Sequence, residues 1–368
     1  MKRQSFIMGS AAALATAPIW SRIARADATS IKAAALAKGI NYGSNFKDVD
    51  AVGQDSGFAN LVLNQLNLVE AAGPFSWREL RPSPSSFDFG KADAFVSWAK
   101  GHGLLLSECH LEWHRGTAKW EPSTVNSSNW KDLLTRHVDT VVSRYAGKIY
   151  SWVAVNEALN PKDGLPGGLR NSFWNQAGGQ DAIDTAFRVA NQADPKALLL
   201  YNDYGVEYDK PESIAKRRLM LAMLQGMRQR GVPVHALGIQ AHLNGANGFN
   251  APGLGKFIDD VGALGLKVFL TEFEVGDENL PSDASTRDQE SAQVYKDFLN
   301  TVLPHKNVTT IIQWSFADKY NWRNQWEPNG QSKRSDGQPS RGLPFGMNLE
   351  STPIADAIIS ALNAAPSR

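Results

Sequence analysis

Cysteine is almost missing from this chain: Cys109 is the single one among 368 residues. That excludes a disulfide framework and any Cys-based metal site, so stability has to come from a buried core. Net charge is missing as well. Thirty-eight Lys and Arg against 37 Asp and Glu leave +1, so there is no electrostatic footprint for nucleic acid or an anionic membrane surface. A neutral polymer suits this balance better. Beyond the N-terminus no run approaches the ~20 apolar residues of a membrane span. Internal repeats, a compositional shift and Ser/Thr/Pro linkers are also lacking, which argues against an appended binding module.

The N-terminus has the form of an export signal. Lys2 and Arg3 give a basic start, Phe6 to Ile19 is an Ala-rich apolar stretch, and Ala24-Arg25-Ala26 is a small-x-small cleavage site. The expected division is a signal at 1–26, with twin-arginine-like features, and one catalytic barrel at 27–368. The mature protein is expected in the periplasm or medium, as a monomer.

Across the mature chain, short aliphatic runs alternate with longer amphipathic stretches, the pattern of β/α units around a parallel sheet. Eight strands are predicted: 39–43, 66–70, 104–108, 150–156, 197–202, 236–240, 267–271 and 309–314. Helical patterns cover 89–101, 130–144, 179–193, 214–231 and 287–303, several ended by turn residues such as Gly101-His102-Gly103 and Asp194-Pro195. The fold class is therefore α/β, a single (β/α)8 TIM barrel. The Gly- and Pro-rich segment from Trp326 to Phe345 reads as the long loop after the eighth strand.

Two of these strands end on a carboxylate, in Trp152-Val153-Ala154-Val155-Asn156-Glu157 and Val268-Phe269-Leu270-Thr271-Glu272. Barrel strands deliver their C-terminal residues to one mouth, so Glu157 and Glu272 meet there despite their distance in sequence. Glycoside hydrolysis requires such a pair: a proton donor to the leaving oxygen and, in retaining enzymes, a second carboxylate about 5–5.5 Å away. Asn156 is placed to hydrogen-bond the sugar hydroxyl beside the reacting carbon. Gln240 and His242, at a third strand end, can hold the nucleophilic carboxylate ionised and oriented. Trp113, Trp314 and Trp322 supply rings on which a sugar face packs. No metal or cofactor is called for.

These residues lie in motifs that resemble glycoside hydrolase family 10, mostly endo-β-1,4-xylanases, over the chain from about Gly39 onward. WVAVNEA at 152–158 is similar to that family's acid/base motif and LTEFEV at 270–275 to its nucleophile motif. GIQAHL at 238–243, LYNDY at 200–204 and WSFADKYNWR at 314–323 match in the same order. The resemblance implies a retaining hydrolase of xylan or xylo-oligosaccharides, with Glu157 as acid/base and Glu272 as nucleophile. It implies Asn156, Gln240, His242, Trp113, Tyr204, Trp314 and Trp322 as substrate-binding residues.

The N-terminal third departs from that pattern. Ala72, Gly73 and Ser76 stand where the family usually has a sugar-binding Glu, Asn and Lys, and Cys109 where it usually has a His. An unpaired sugar hydroxyl costs on the order of 1–3 kcal/mol, so linear xylan should be held poorly on the glycone side unless other groups substitute. Glu70, Glu108, His110 and Arg115 are the nearby candidates.

Each functional reading has a bland competitor. A lone Glu after a strand is commonly a loop ion pair, and a single His is commonly bonded to a backbone carbonyl. Glu274 shares a strand face with Glu272 and is its rival as nucleophile. Trp152, Trp98, Trp130 and Trp174 read as packing residues, Cys109 as a small buried hydrophobe, and Lys216-Arg217-Arg218 as a solvated helix face. Two alternatives remain: the same mechanism on a different or decorated β-glycoside, and a non-catalytic carbohydrate-binding barrel.

Overall fold

In the computed structural model, which describes residues 30–47, 49–325 and 334–368, eight parallel strands close into a barrel. The barrel strands are β1 (Asn41–Phe46), β2 (Leu68–Ala71), β3 (Leu105–Glu112), β4 (Ser151–Asn156), β5 (Leu198–Asp203), β6 (Ala236–Ile239), β8 (Lys267–Gly276) and β9 (Val308–Gln313), with a ninth strand, β7 (His242–Asn244), beside them. β1 to β6 pair in chain order, β6 pairs with β8, β8 with β9, and β9 returns to β1. β7 adds a short parallel strand to the far half of β8, with His242 opposite Glu274. The expected export signal, and residues 326–333 of the expected long loop, lie outside the described residues.

A helix follows each strand of the closed barrel: α1 (Ser56–Gln65), α2 (Gly90–Gly101), α3 (Trp130–Arg144), α4 (Phe173–Ala193), α5 (Pro211–Gln229), α6 (Pro252–Ala263), α7 (Ala284–Val302) and α8 (Pro353–Ala364). Their starts have local causes. Ser172, Asp283 and Thr352 accept from N–H groups of the first turn, and proline opens α5, α6 and α8 where its missing N–H costs nothing. The single (β/α)8 barrel predicted from the alternation is the observed fold, with most strand bounds within two residues.

Three local readings need correction. The helix predicted from Gly179 begins six residues earlier, because Ser172 caps it and Gly179, at φ 54°, ψ −136°, breaks it internally. β8 does not stop at Thr271 but runs to Gly276, held by β7. Lys216 and Arg217 are not solvated: both are buried, Lys216 against Asp203 at 2.7 Å and Arg217 against Asp209 at 2.6 Å. Only Arg218 of that run faces water.

The core has two compartments. Inside the barrel's closed end lie Leu200 and Phe269 with Tyr150 and Leu198 packed beside them. Between strands and helices runs the larger apolar layer, which takes Trp152 and Trp174 as fully buried rings and packs Trp98 and Trp130 at its edge. Among the described residues no helix is long and apolar enough to cross a membrane.

Candidate active site

The mouth of the barrel is shaped by bent strand ends. Glu157, Ala241 and Ser315 follow β4, β6 and β9 with φ of 57°, 60° and 82°, a left-handed conformation that costs a side-chain-bearing residue of order 1–3 kcal/mol. Each turns the chain so that its neighbours address the mouth. Backbone bonds fix the result: Glu157 N–H donates to the Asn202 carbonyl at 2.8 Å, and Glu272 N–H to the Gln240 carbonyl at 3.0 Å.

Around Glu272 the side chains form a line of alternating charge. Arg323 donates to Glu274 at 2.9 Å, Glu274 Oε1 lies 2.7 Å from His242 Nδ1, and His242 Nε2 lies 3.1 Å from Glu272 Oε2. Asn202 Nδ2 donates to the other Glu272 oxygen at 2.9 Å, and Thr271 Oγ1 donates to Asn202 Oδ1 at 2.5 Å. Burial works against the charged form of His242, but the bonds to Glu272 and Glu274 prevail and push its pKa up to about 10. Burial likewise disfavours charge on Glu274, yet Arg323 and His242 hold it down to about 2. For Glu272 burial wins: its pKa is raised, with the Glu157 charge adding to the rise and His242 opposing it. Glu274 is thus saturated, accepting from Trp322 Nε1 at 2.8 Å as well. Glu272 keeps a lone-pair direction open.

Glu157 is held more lightly. Gln240 Nε2 donates to its Oε1 at 3.1 Å, while His114 Nε2 and Arg170 Nη2 each stand 3.9 Å from Oε2. Arg170 also donates to the Glu157 carbonyl at 2.6 Å and to the Tyr204 hydroxyl at 3.1 Å. Burial, then the Arg170 charge, drives the His114 pKa down to about 4, so the imidazole beside Glu157 is neutral near pH 7. Asn156 Oδ1 accepts from Asn202 at 2.9 Å and Gln240 at 3.3 Å. Its other amide atom faces His110 Nε2 at 3.0 Å and Trp113 Nε1 at 3.2 Å, and turning the amide over gives these donors its oxygen.

The predicted residues converge, with amendments. Glu157, Asn156, Gln240, His242, Glu272, Trp113, Trp314 and Trp322 surround one opening, Trp314 and Trp322 flanking His242 at 6.2 and 6.4 Å between ring centroids. Gln240 contacts Glu157 and Asn156, not the carboxylate that His242 holds, so its expected second grip on Glu272 is not found. Tyr204 stands half-exposed at the rim beside Arg170 and Lys216. Asn202, Arg170, His114 and Arg323 escaped notice as site residues. Asn202 and Arg323 lay inside motifs already singled out, and a polar side chain just past a barrel strand was the available signal.

The β1–β3 side differs. Glu70, Ser107 and Asn45 share the barrel's inner face, Glu70 being the register partner of both others. Ser107 Oγ donates to Glu70 Oε2 at 3.3 Å, whereas Glu70 Oε1 and Asn45 Nδ2 are buried without partners. Burial, then the Glu272 charge, pushes the Glu70 pKa up to about 8. Glu108 is not the substitute sugar contact expected of it. Its register partners Ala71 and Trp152 belong to the layer under the helices, and both its oxygens are buried and unpaired. His110 reaches Asn156, and Arg115 is exposed. Among the described residues no cluster of three or more His, Cys, Asp or Glu side chains could hold a metal ion.

The model of glycosyl hydrolase family 10 matches residues 30–361. A β-1,4-xylanase of Dictyoglomus thermophilum is 31% identical over 291 residues, spanning 74% of this chain and 78% of that protein. Endo-1,4-beta-xylanase B of Thermotoga neapolitana is 28% identical across 72% of this chain and 74% of its own. Among solved structures, native xylanase 10B of Thermotoga maritima superposes with a TM-score of 0.80 at 25% identity, covering 90% of this chain and 98% of that one.

Proposed function

The chain belongs to glycosyl hydrolase family 10, an endo-1,4-β-xylanase-like glycoside hydrolase, and from that premise we propose how its own residues carry out a retaining cleavage of β-1,4-linked xylan. Glu272 attacks the anomeric carbon while Glu157 protonates the departing glycosidic oxygen. The sugar is then esterified to Glu272, Glu157 takes a proton from water, and that water releases the sugar with its original anomeric configuration.

One observation carries the assignment of roles: the Arg323–Glu274–His242–Glu272 line. A protonated His242 against Glu272 opposes the rise that burial imposes and so favours the ionised carboxylate that a nucleophile requires, and it holds one oxygen so that the other is aimed. The Glu157 carboxylate has no cation within hydrogen-bond distance, the nearest standing at 3.9 Å, and accepts from a neutral amide, an environment that suits a group that carries a proton to the substrate. Asn156, fixed from two sides, presents its amide beside the reacting centre, and Trp113, Trp314, Trp322 and Tyr204 provide the packing surfaces. The same reading takes the N-terminal segment as an export signal and the working place as outside the cytoplasm.

A 2-deoxy-2-fluoro xylobioside with a good leaving group tests the roles. Incubation followed by peptide mass spectrometry is expected to find the fluorosugar on the peptide bearing Glu272. A label on the Glu274 or Glu157 peptide, or none with the enzyme still turning over xylan, would sink it.

A further inference from the structure

Gln240 and His242 are two residues apart, so along an uninterrupted strand their side chains would face the same way. Here they serve different acids: Gln240 Nε2 donates to Glu157 at 3.1 Å, and His242 Nε2 lies 3.1 Å from Glu272. The residue between them makes the difference. β6 ends at Ile239 and β7 begins at His242. In the gap Ala241 is held at φ 60°, a left-handed conformation that a side-chain-bearing residue rarely adopts. Its backbone is gripped on both sides. The Ala241 carbonyl accepts from Glu274 N–H at 3.3 Å, and Ala241 N–H donates to the Glu207 carboxylate at 3.1 Å.

Glu207 lies in the loop after β5 and is only 3% exposed. The buried Arg217 clamps that loop. Its guanidinium donates to three consecutive carbonyls, those of Val206, Glu207 and Tyr208, at 2.6, 3.2 and 3.1 Å, and its third nitrogen donates to Asp209 at 2.6 Å. The clamped loop presents two acceptors to the β7 segment: Glu207 to Ala241 N–H, and the Tyr208 hydroxyl to Asn244 N–H at 3.2 Å. Burial raises the Glu207 pKa, opposed by its own N–H, by Ala241 N–H and by the charges of His242 and Lys216. Protonated or ionised, the side chain keeps an oxygen that accepts. A left-handed alanine and a buried unpaired N–H are each costly; the bond to Glu207 offsets the first and prevents the second.

We propose that Glu207 is a positioning residue for the reaction: by accepting from Ala241 N–H it fixes the left-handed turn that sends Gln240 to the acid/base and His242 to the nucleophile. Glu207 acts through Ala241 and not on the substrate, and its role rests on the reading of Glu157 and Glu272 as the two acids of a retaining cleavage.

Glu207→Gln and Glu207→Met test it, because both lose the same charge and fill nearly the same space while only glutamine keeps an oxygen for Ala241 N–H. On a β-1,4-xylo-oligosaccharide Glu207→Met should lose roughly 10- to 100-fold in kcat, the scale of misplaced reacting groups, with KM changed by less than about threefold. Its acid limb of kcat should also move to higher pH, because His242 opposes the rise of the Glu272 pKa. Glu207→Gln should keep kcat within about threefold of wild type and leave the acid limb in place. A purely structural role would lower the folded fraction without moving the limb. Equal kcat in the two variants, a Glu207→Met loss confined to KM, or an unmoved acid limb in Glu207→Met would overturn the proposal. Should Glu207→Met not fold, Glu207→Asp replaces it: the charge stays while the oxygen is drawn back by one methylene, and a wild-type kcat there would overturn the proposal equally. If the wild type cleaves no xylo-oligosaccharide, the reading of the two acids fails by itself. A 15N NMR titration of the His242 imidazole then decides the positioning. Contact with Glu272 supports the His242 proton, so a lower His242 pKa in Glu207→Met than in Glu207→Gln keeps the proposal, and coincident curves remove it.

Discussion

The two sides of the barrel mouth are built to opposite rules. From β4 round to β9 the polar groups of the site are bonded to one another: Glu274 takes bonds from Arg323, His242 and Trp322, and Asn202 joins Thr271 to Glu272. From β1 to β3 they are left short: Asn45 and Glu70 carry unpartnered atoms on the inner face, and Glu108 carries them in the layer under the helices. Groups that take part in bond making need one fixed geometry, and mutual bonding supplies it before substrate arrives. Groups that recognise a substrate can be completed by it, and on this side Asn45 and Glu70 keep polar atoms that the fold itself does not pair.

Removing a member of the bonded side should have the larger effect. His242→Gln keeps a donor but loses the positive charge, so kcat should fall roughly 10- to 100-fold, the scale of a misplaced reacting group. The pH profile separates this from simple misfolding. His242 lowers the Glu272 pKa, so without it the acid limb of kcat should move to higher pH. An acid limb that stays in place would break the charged line as an explanation of Glu272.

On the unbonded side the sign reverses. Burial raises the Glu108 pKa well above its ordinary value, with the Glu70 charge adding to the rise. The unfolded chain therefore loses this proton first, and stability declines as pH rises above the ordinary carboxylate range. Glu108→Leu should stabilise the fold at pH 8 by about 1–3 kcal/mol in denaturant melts, with the gain shrinking toward pH 4. Destabilisation at pH 8 would show that Glu108 has a partner of consequence.

The smallest effect belongs to the rim. Tyr204→Phe removes a hydroxyl held by Arg170 and should raise KM by a few-fold at most, about 1 kcal/mol or less, with kcat nearly unchanged. A large loss of kcat would instead place Tyr204 with the fixed machinery.

How far the sequence could be read follows the same division. Strands β1 to β6, β8 and β9 were legible because aliphatic runs and turn residues are local signals, and the carboxylates were legible because barrel strands end at one face. What failed depended on partners distant in the chain. Lys216 looks solvated until Asp203 is folded against it, and Gln240 looks like a grip on Glu272 until β4 brings Glu157 nearer. Glu108 looked available because period-two alternation gives parity without saying which parity faces the mouth. Gly179 reads as a helix start in the sequence because a break and a beginning use the same residue.

Gly73 ties its own identity to the route of the loop after β1. A Cβ placed there would lie 2.3 Å from the backbone carbonyl of Lys47, which no rotamer change relieves. A larger residue at 73 is therefore compatible only with a differently routed β1 loop, and the present route is compatible only with glycine. The constraint runs one way: glycine at 73 tolerates either route of the loop, whereas a side chain at 73 demands a change in a segment about 26 positions earlier. A laboratory lineage selected for activity on linear xylan should accordingly change the β1 loop before it changes Gly73.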